Sequence, residues 1–287
     1  MRRLLPVLAI SAALMLNACS LLPGNGIGSN WPAMPEATQF TPEQGVCHER
    51  ASSNSAAGSY VPVPCSKAHM AETIFVGQLP AETAALKTAP QPESPDASPA
   101  WAACSKEVSN FFGRNWLDYR LRLYVYWPST TGWKSGARWL RCDVVVPRDM
   151  ANWDSDEVSQ DGPFKKGAMD SLALGCFDLQ ETTSRDSLIA SPCEVSHNTE
   201  YAGSVNLPKD TKYPTTDAEW DVIYDHCFGA IAEFVGVRVA NLTTGAYAVP
   251  EETTWQGGGE NAVRCYLWLD DRKMTGSAKG TRGVGIP

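Results

Sequence analysis

The chain is short of basic charge and of histidine: 24 Lys and Arg stand against 32 Asp and Glu, with four His in 287 residues, for a formal net charge of −8. A surface of that sign repels phosphate backbones and anionic lipid, which excludes a nucleic-acid partner. Neither Gly-x-Ser-x-Gly nor His-Glu-x-x-His occurs, so the signatures of a nucleophile elbow and of a zinc protease are missing. No two cysteines are spaced Cys-x-x-Cys, which removes the common zinc and dithiol motifs. Past Leu16 no apolar run approaches the roughly 20 residues that a membrane-spanning helix requires.

What is present begins with Arg2-Arg3 and the apolar stretch Leu4 to Leu16, the pattern of an export signal rather than a span. The stretch ends in Leu16-Asn17-Ala18-Cys19, which looks like a lipobox, whose cysteine receives diacylglycerol and becomes the first residue after cleavage. Cys19 is the odd one among nine cysteines, and an unpaired thiol in an exported chain asks for such a use. The competing reading is an ordinary cleaved signal with an incidental cysteine. The expectation is therefore a signal peptide at 1–18 and a lipidated Cys19 with a Gly- and Pro-rich tether at 19–43. The lipid would hold the protein on the outer face of the cytoplasmic membrane, since two or more acyl chains anchor stably where one does not. Cleavage removes Arg2 and Arg3 from the 24 basic residues, leaving 22 against 32 acidic and a net charge of −10.

The other eight cysteines fall into two sets of four. Cys47 to Cys65 span 18 positions and Cys176 to Cys193 span 17, while Cys104 to Cys142 and Cys227 to Cys265 both span 38. Both sets carry the same phrase, Pro64-Cys65-x-x-x-His69-x-x-Glu72 and Pro192-Cys193-x-x-x-His197-x-x-Glu200. β-Branched runs predict strands at 61–63, 73–76, 120–127 and 137–146, matched by 187–190, 201–205, 246–249 and 262–269. In the 120–127 run Leu121, Leu123 and Val125 alternate with Arg120, Arg122 and Tyr124, the pattern of a half-buried strand. Helical spacing places Cys104 with Trp101, Val108 and Phe112, and Cys227 with Trp220, Ile223 and Ile231, on apolar helix faces. The predicted fold is α+β, two tandem homologous domains, each a small mostly antiparallel sheet packed with one helix and stapled by two disulfides. Their bounds are 44–147 and 171–270, with a polar linker at 148–170 and a Gly-rich, disordered tail at 271–287. The Pro-rich Lys87 to Pro99 segment reads as a surface excursion.

An even set of cysteines at repeated spacing in an exported chain argues for disulfides. Four cysteines allow three pairings per set, of which first with second (Cys47–Cys65, Cys176–Cys193) and third with fourth (Cys104–Cys142, Cys227–Cys265) link neighbouring elements. The rival is a metal site at Cys65, His69 and Glu72, disfavoured because thiols oxidise in this compartment; no metal and no cofactor are expected. His69 and Glu72, three apart in an extended segment, should face opposite ways, and Glu72 and Glu200 should be solvated strand-edge carboxylates. His69 and His197 then anchor a turn or pack beside a disulfide, and stay among the candidate binding residues with Trp133 and Trp255. The tryptophans close a Pro-x-x-x-x-Trp loop in each half, and Trp127 and Tyr247 lie near them. A role for Trp133 and Trp255 as core plugs competes with surface contact.

Gly45-Val46-Cys47, Pro64 to Glu72, Cys104 and Arg141-Cys142, with second copies Gly175-Cys176, Pro192 to Glu200, Cys227 and Arg264-Cys265, resemble the septum-formation family of actinobacterial envelope proteins. The resemblance implies an extracytoplasmic, membrane-attached domain connected with cell division, and brings no catalytic residues. Three roles follow: a non-enzymatic binding or adaptor module contacting envelope or division proteins or cell-wall components, a small-ligand sensor with its site in a cleft between the domains, and a cell-wall enzyme. The last is disfavoured because every notable residue is duplicated, unlike a single active site. Cys19→Ala should release the protein from membranes with both halves still folded, as read by cell fractionation; persistent membrane attachment would overturn the anchor assignment.

Overall fold

Two antiparallel sheets of five strands are built to the same plan. In the computed structural model the described residues are 39–51, 59–92, 94–152, 156–167, 169–183, 185–209, 211–251, 255 and 261–287. Cys19, the signal segment and the tether up to 38 lie outside them. The first sheet uses β1 (Cys47–His48), β2 (Pro62–Val63), β3 (Ala71–Gln78), β4 (Arg122–Tyr126) and β5 (Trp139–Val145), in the order β2-β1-β3-β5-β4. The second uses β6 (Cys176–Gln180), β7 (Ser187–Ser191), β8 (Thr199–Leu207), β9 (Gly245–Pro250) and β10 (Asn261–Trp268), in the order β7-β6-β8-β10-β9. A register shift falls at the same place in both, beside Cys142 in the β3–β5 pair and beside Cys265 in the β8–β10 pair. The strands read from β-branched runs are present. The short β1 and β6, each opening on a cysteine, lack such a run and were not legible.

One helix covers each sheet. Helix α2 (Ser98–Phe112) follows the single turn α1 (Ala81–Ala84) and buries Trp101, Cys104, Val108 and Phe112; α3 (Thr130–Lys134) is a short turn before β5. Helix α4 (Asp217–Val235) buries Ile223, Cys227, Ile231 and Val235, a stripe at helical spacing. Thr216 and Glu219 form a capping box at its start. Both helices end on a left-handed glycine, Gly113 at φ 78° and Gly236 at φ 83°, a conformation a Cβ would strain. The disulfides pair Cys47–Cys65, Cys104–Cys142, Cys176–Cys193 and Cys227–Cys265. In each half one bridge ties helix to sheet and the other ties the first strand to the turn before the long one. None of the described helices is long and apolar enough to cross a membrane.

The segments read as linker and disordered tail are instead straps. In the first half Gln160 forms a two-way backbone bridge with His69, the Phe164 N–H donates to Glu72 at 2.6 Å, and the Gly167 N–H donates to the Phe111 carbonyl at the end of α2. In the second half Met274 bridges His197, the Ala278 N–H donates to Glu200 at 2.7 Å, and the Gly280 N–H donates to the Phe234 carbonyl at the end of α4. Met274 and Ala278 are buried. A strap of this kind is held by backbone hydrogen bonds, so its Gly-, Ser- and Lys-rich sequence carries no apolar period to announce it. The excursion at 87–99 is likewise partly inside, with Ala97 fully buried in the first core.

Residues 39–287 form one compact unit in which the two sheets are joined through charged and polar groups. The turn Trp116–Asp118, between α2 and β4, lies on the second sheet: Tyr201 donates its hydroxyl to Asp118 at 2.8 Å, and Asn115 donates to Ser204. Arg264 on β10 is fully buried. It donates to the carbonyls of Leu117 at 2.9 Å and Leu121 at 3.0 Å, is ion-paired to Glu251, and lies over the Trp116 ring at 5.2 Å. This joint also explains why 120–127 is not half-buried: Arg122, expected to face water, is 4 % exposed and donates to the Asn152 carbonyl. Arg264→Ala should cost about 3–5 kcal/mol in chemical denaturation, because it removes the cation beside a buried carboxylate. A loss below about 1 kcal/mol would show that the joint holds without it.

Candidate functional site

Three groups of polar residues invite a functional reading, and two of them are scaffold. The first is the repeated Pro-Cys-x-x-x-His-x-x-Glu phrase. His69 lies two residues before β3 in an isolated bridge to Gln160, not in the strand, so alternation does not apply, and its ring comes within 4.8 Å of the Glu72 carboxylate and the Cys47 sulfur. The expectation that His69 and Glu72 face opposite ways is thereby corrected. Glu72 and Glu200 are also not solvated: each is 3 % exposed and accepts the strap N–H described above. Burial holds the Glu72 carboxyl above its ordinary range, against the pull of that N–H. His69 and His197 donate from Nδ1 to the carbonyls two residues back, Lys67 at 2.8 Å and Val195 at 2.7 Å, while their buried Nε2 atoms have no hydrogen-bond partner among the described residues. The nearby sulfurs of Cys47, Cys176 and Cys193 are in disulfides, so the thiolates a zinc site draws on are already used.

The second group is a buried relay in the first sheet. His48 Nε2 lies 3.0 Å from the Thr73 hydroxyl, which donates to Asp143 at 2.8 Å, and Asp143 is ion-paired to Arg141 at 3.0 Å. A hydroxyl between histidine and aspartate suggests a nucleophilic triad, but in a triad the histidine lies between hydroxyl and carboxylate. Here Thr73 bonds the Asp143 carboxyl itself and is fully buried, out of reach of a substrate. Burial, then Arg141, holds His48 down at about 4, while burial pushes Asp143 up to about 6 against the attraction of Arg141.

The tryptophans are placed by burial as core plugs. Trp133 is 2 % exposed and donates to the Leu86 carbonyl; Trp255 is 8 % exposed and donates to the Thr211 carbonyl. Each thus pins the loop leading toward its helix, and neither presents a surface for contact. Trp127 is buried in the first core.

The third group lines a cavity of about 380 Å³ where the two halves meet. Arg122 and Met150 reach it from the first half and the segment after it; Asp186, Tyr213, Trp220, Tyr224 and Tyr247 reach it from the second. Trp220 and Tyr224, one turn apart on α4, stack at 5.8 Å. Tyr247 on β9 donates its hydroxyl to Asp186 at 3.3 Å. Tyr213 packs edge-on against Trp255 at 5.6 Å, so the buried tryptophan props a pocket ring. Burial and then the Asp186 charge raise the Tyr224 and Tyr247 phenols above their ordinary range. A small-molecule site of this volume, lined by aromatic rings with a few placed polar groups, has the usual build of a ligand pocket. Of its rings, only Tyr247 was singled out from the sequence. Trp220 was absorbed into the helix's apolar period, which cannot separate a ring packed inward from one at the edge of a cleft.

The family model for septum formation matches residues 44–265. No curated protein and no solved structure matches the chain.

Asp143 offers a pH test of the relay. Its folded value is raised from 3.8 to about 6, so the fold favours the neutral acid. Its contribution to stability is full below 3.8 and is lost as pH rises through about 6. His48, lowered from 6.5 to about 4, works oppositely: its contribution is full above 6.5 and is lost as pH falls through about 4. The difference curve between Asp143→Asn and the parent isolates the carboxyl. The Asn variant should gain on the parent by on the order of 1–3 kcal/mol between those limits. A flat difference in denaturation midpoints would show that Asp143 stays ionised throughout.

Proposed function

The chain belongs to the septum formation family, and on that premise we propose that it is a membrane-anchored, non-enzymatic binding module at the cell envelope with a part in septum formation. It consists of two copies of one α+β unit, each closed by its own strap and carried on a lipidated Cys19. The observation that carries the reading is the aromatic pocket at the joint. The disulfides, the His–Glu latches and the His48 relay serve the scaffold, while the pocket presents several half-buried rings to solvent. Among the described residues of the His–Glu latches and the His48 relay, no accessible nucleophile lies beside a base, which favours binding over catalysis. A small-ligand sensor is the second reading, favoured by the same cavity's modest size.

The test replaces the chromosomal copy with a Trp220→Ala, Tyr224→Ala double variant and measures septum spacing and cell length. It should reach the membrane at parental level, keep its disulfides on non-reducing gels, and fail to restore the septum pattern of a deletion strain. Full restoration would overturn the assignment of the pocket as the working site.

A further inference from the structure

Resting on the reading of the joint pocket as a binding site, we propose that its ligand presents an organic ammonium group, held between the aromatic rings and the Asp186 carboxylate. Four rings converge from three elements: Tyr213 from the loop before α4, Trp220 and Tyr224 from one face of α4, and Tyr247 from β9. Aromatic faces carry negative quadrupole potential, and several around one cavity suit an alkylated or primary ammonium better than a neutral or anionic group.

The charges around the cavity select the sign. Arg122 and Glu251 also line it, but both are scaffold: Arg122 is 4 % exposed and donates to the Asn152 carbonyl, and Glu251 is 3 % exposed and ion-paired to Arg264. Asp186 is partly exposed and accepts from the Tyr247 hydroxyl, which is a neutral donor. Asp221 and Glu181 add to the field at Tyr224, and Asp149 to that at Tyr247. A carboxylate ligand would meet this acidic field with the buried Arg122 as the one basic group among the described lining residues, and a neutral sugar would bring no positive charge to Asp186. A cation satisfies both the rings and the acid, which is the complementarity that sets specificity at charged sites.

The experiment uses the full lipidated chain in detergent, labelled with 3-fluorotyrosine and observed by fluorine NMR, with the Tyr213, Tyr224 and Tyr247 signals assigned from single Phe variants. The probes are tetramethylammonium and n-butylammonium, with n-butanol, butyrate and a neutral chitin trisaccharide as comparisons. The ammonium probes should shift the three signals saturably, while butanol and butyrate leave them in place. Asp186→Asn and Trp220→Leu should each weaken that binding at least about fivefold while the thermal midpoint is kept. Ammonium binding unchanged in Asp186→Asn, or no response to either ammonium probe, overturns the proposal. Saturation by the trisaccharide alone also overturns it, yet leaves the pocket as the binding site, so the two readings fail separately.

Discussion

A guanidinium shut away from water is tolerable only if its donors are met and its charge is balanced, and Arg264 meets those terms with groups from both halves of the molecule. Glu251, its ion-pair partner, belongs to the second half; the Leu117 and Leu121 carbonyls and the Trp116 ring belong to the first. Separating the halves would leave Arg264 its Glu251 partner but take away both carbonyl acceptors and the Trp116 ring, and would open a fully buried contact to water. The same contact braces the pocket beside it, since Glu251 and Arg122 form part of its wall. Pre-organisation of this kind lowers the entropy that a ligand would otherwise lose on binding.

Within each half the organising device is different and repeated. The histidine fixes its own turn through Nδ1, and the glutamate three residues on accepts an amide from a strap that arrives after the last strand. A disulfide beside them ties that turn to the first strand. The phrase that looked most like chemistry in the sequence is thus a latch, which is why it recurs with the same spacing: each unit must close itself. Its carboxylates are buried because the strap covers them, and the strap stays because its backbone amides find those carboxylates.

Strands with β-branched runs, the two covering helices and the grouping of cysteines could be read directly, because each imposes a periodicity or a count. The straps could not. Gly167, Gly280 and their neighbours act through backbone amides, which every residue but proline carries, so no side-chain pattern distinguishes a docked strap from a solvated tail. Arg122 misled for a related reason. An arginine in an alternating strand reads as solvent-facing until a second sheet is known to lie against it, and that fact belongs to the tertiary structure. The pocket rings were hidden differently, because Trp220 fits the helix's apolar stripe whether its ring points into the core or across a cleft.

The contrast between what repeats and what does not supports the proposed site. The disulfides, the latches, the capping glycines and the loop tryptophans all occur twice, as scaffold must when two units fold alike. Among the described residues the pocket does not. Seven residues before the helix cysteine the first half has the small, buried Ala97 and the second has Trp220; three before it stand buried Trp101 and pocket-lining Tyr224. Tyr124 and Tyr247 occupy the same register opposite Asp143 and Tyr266, yet only Tyr247 reaches the cavity. Symmetry is thus broken at the side chains around the joint, where each half meets the other rather than its own strap. Scaffold residues alone would give no reason for that asymmetry to gather rings and a carboxylate around one cavity, and a single ligand seated across the joint gives one.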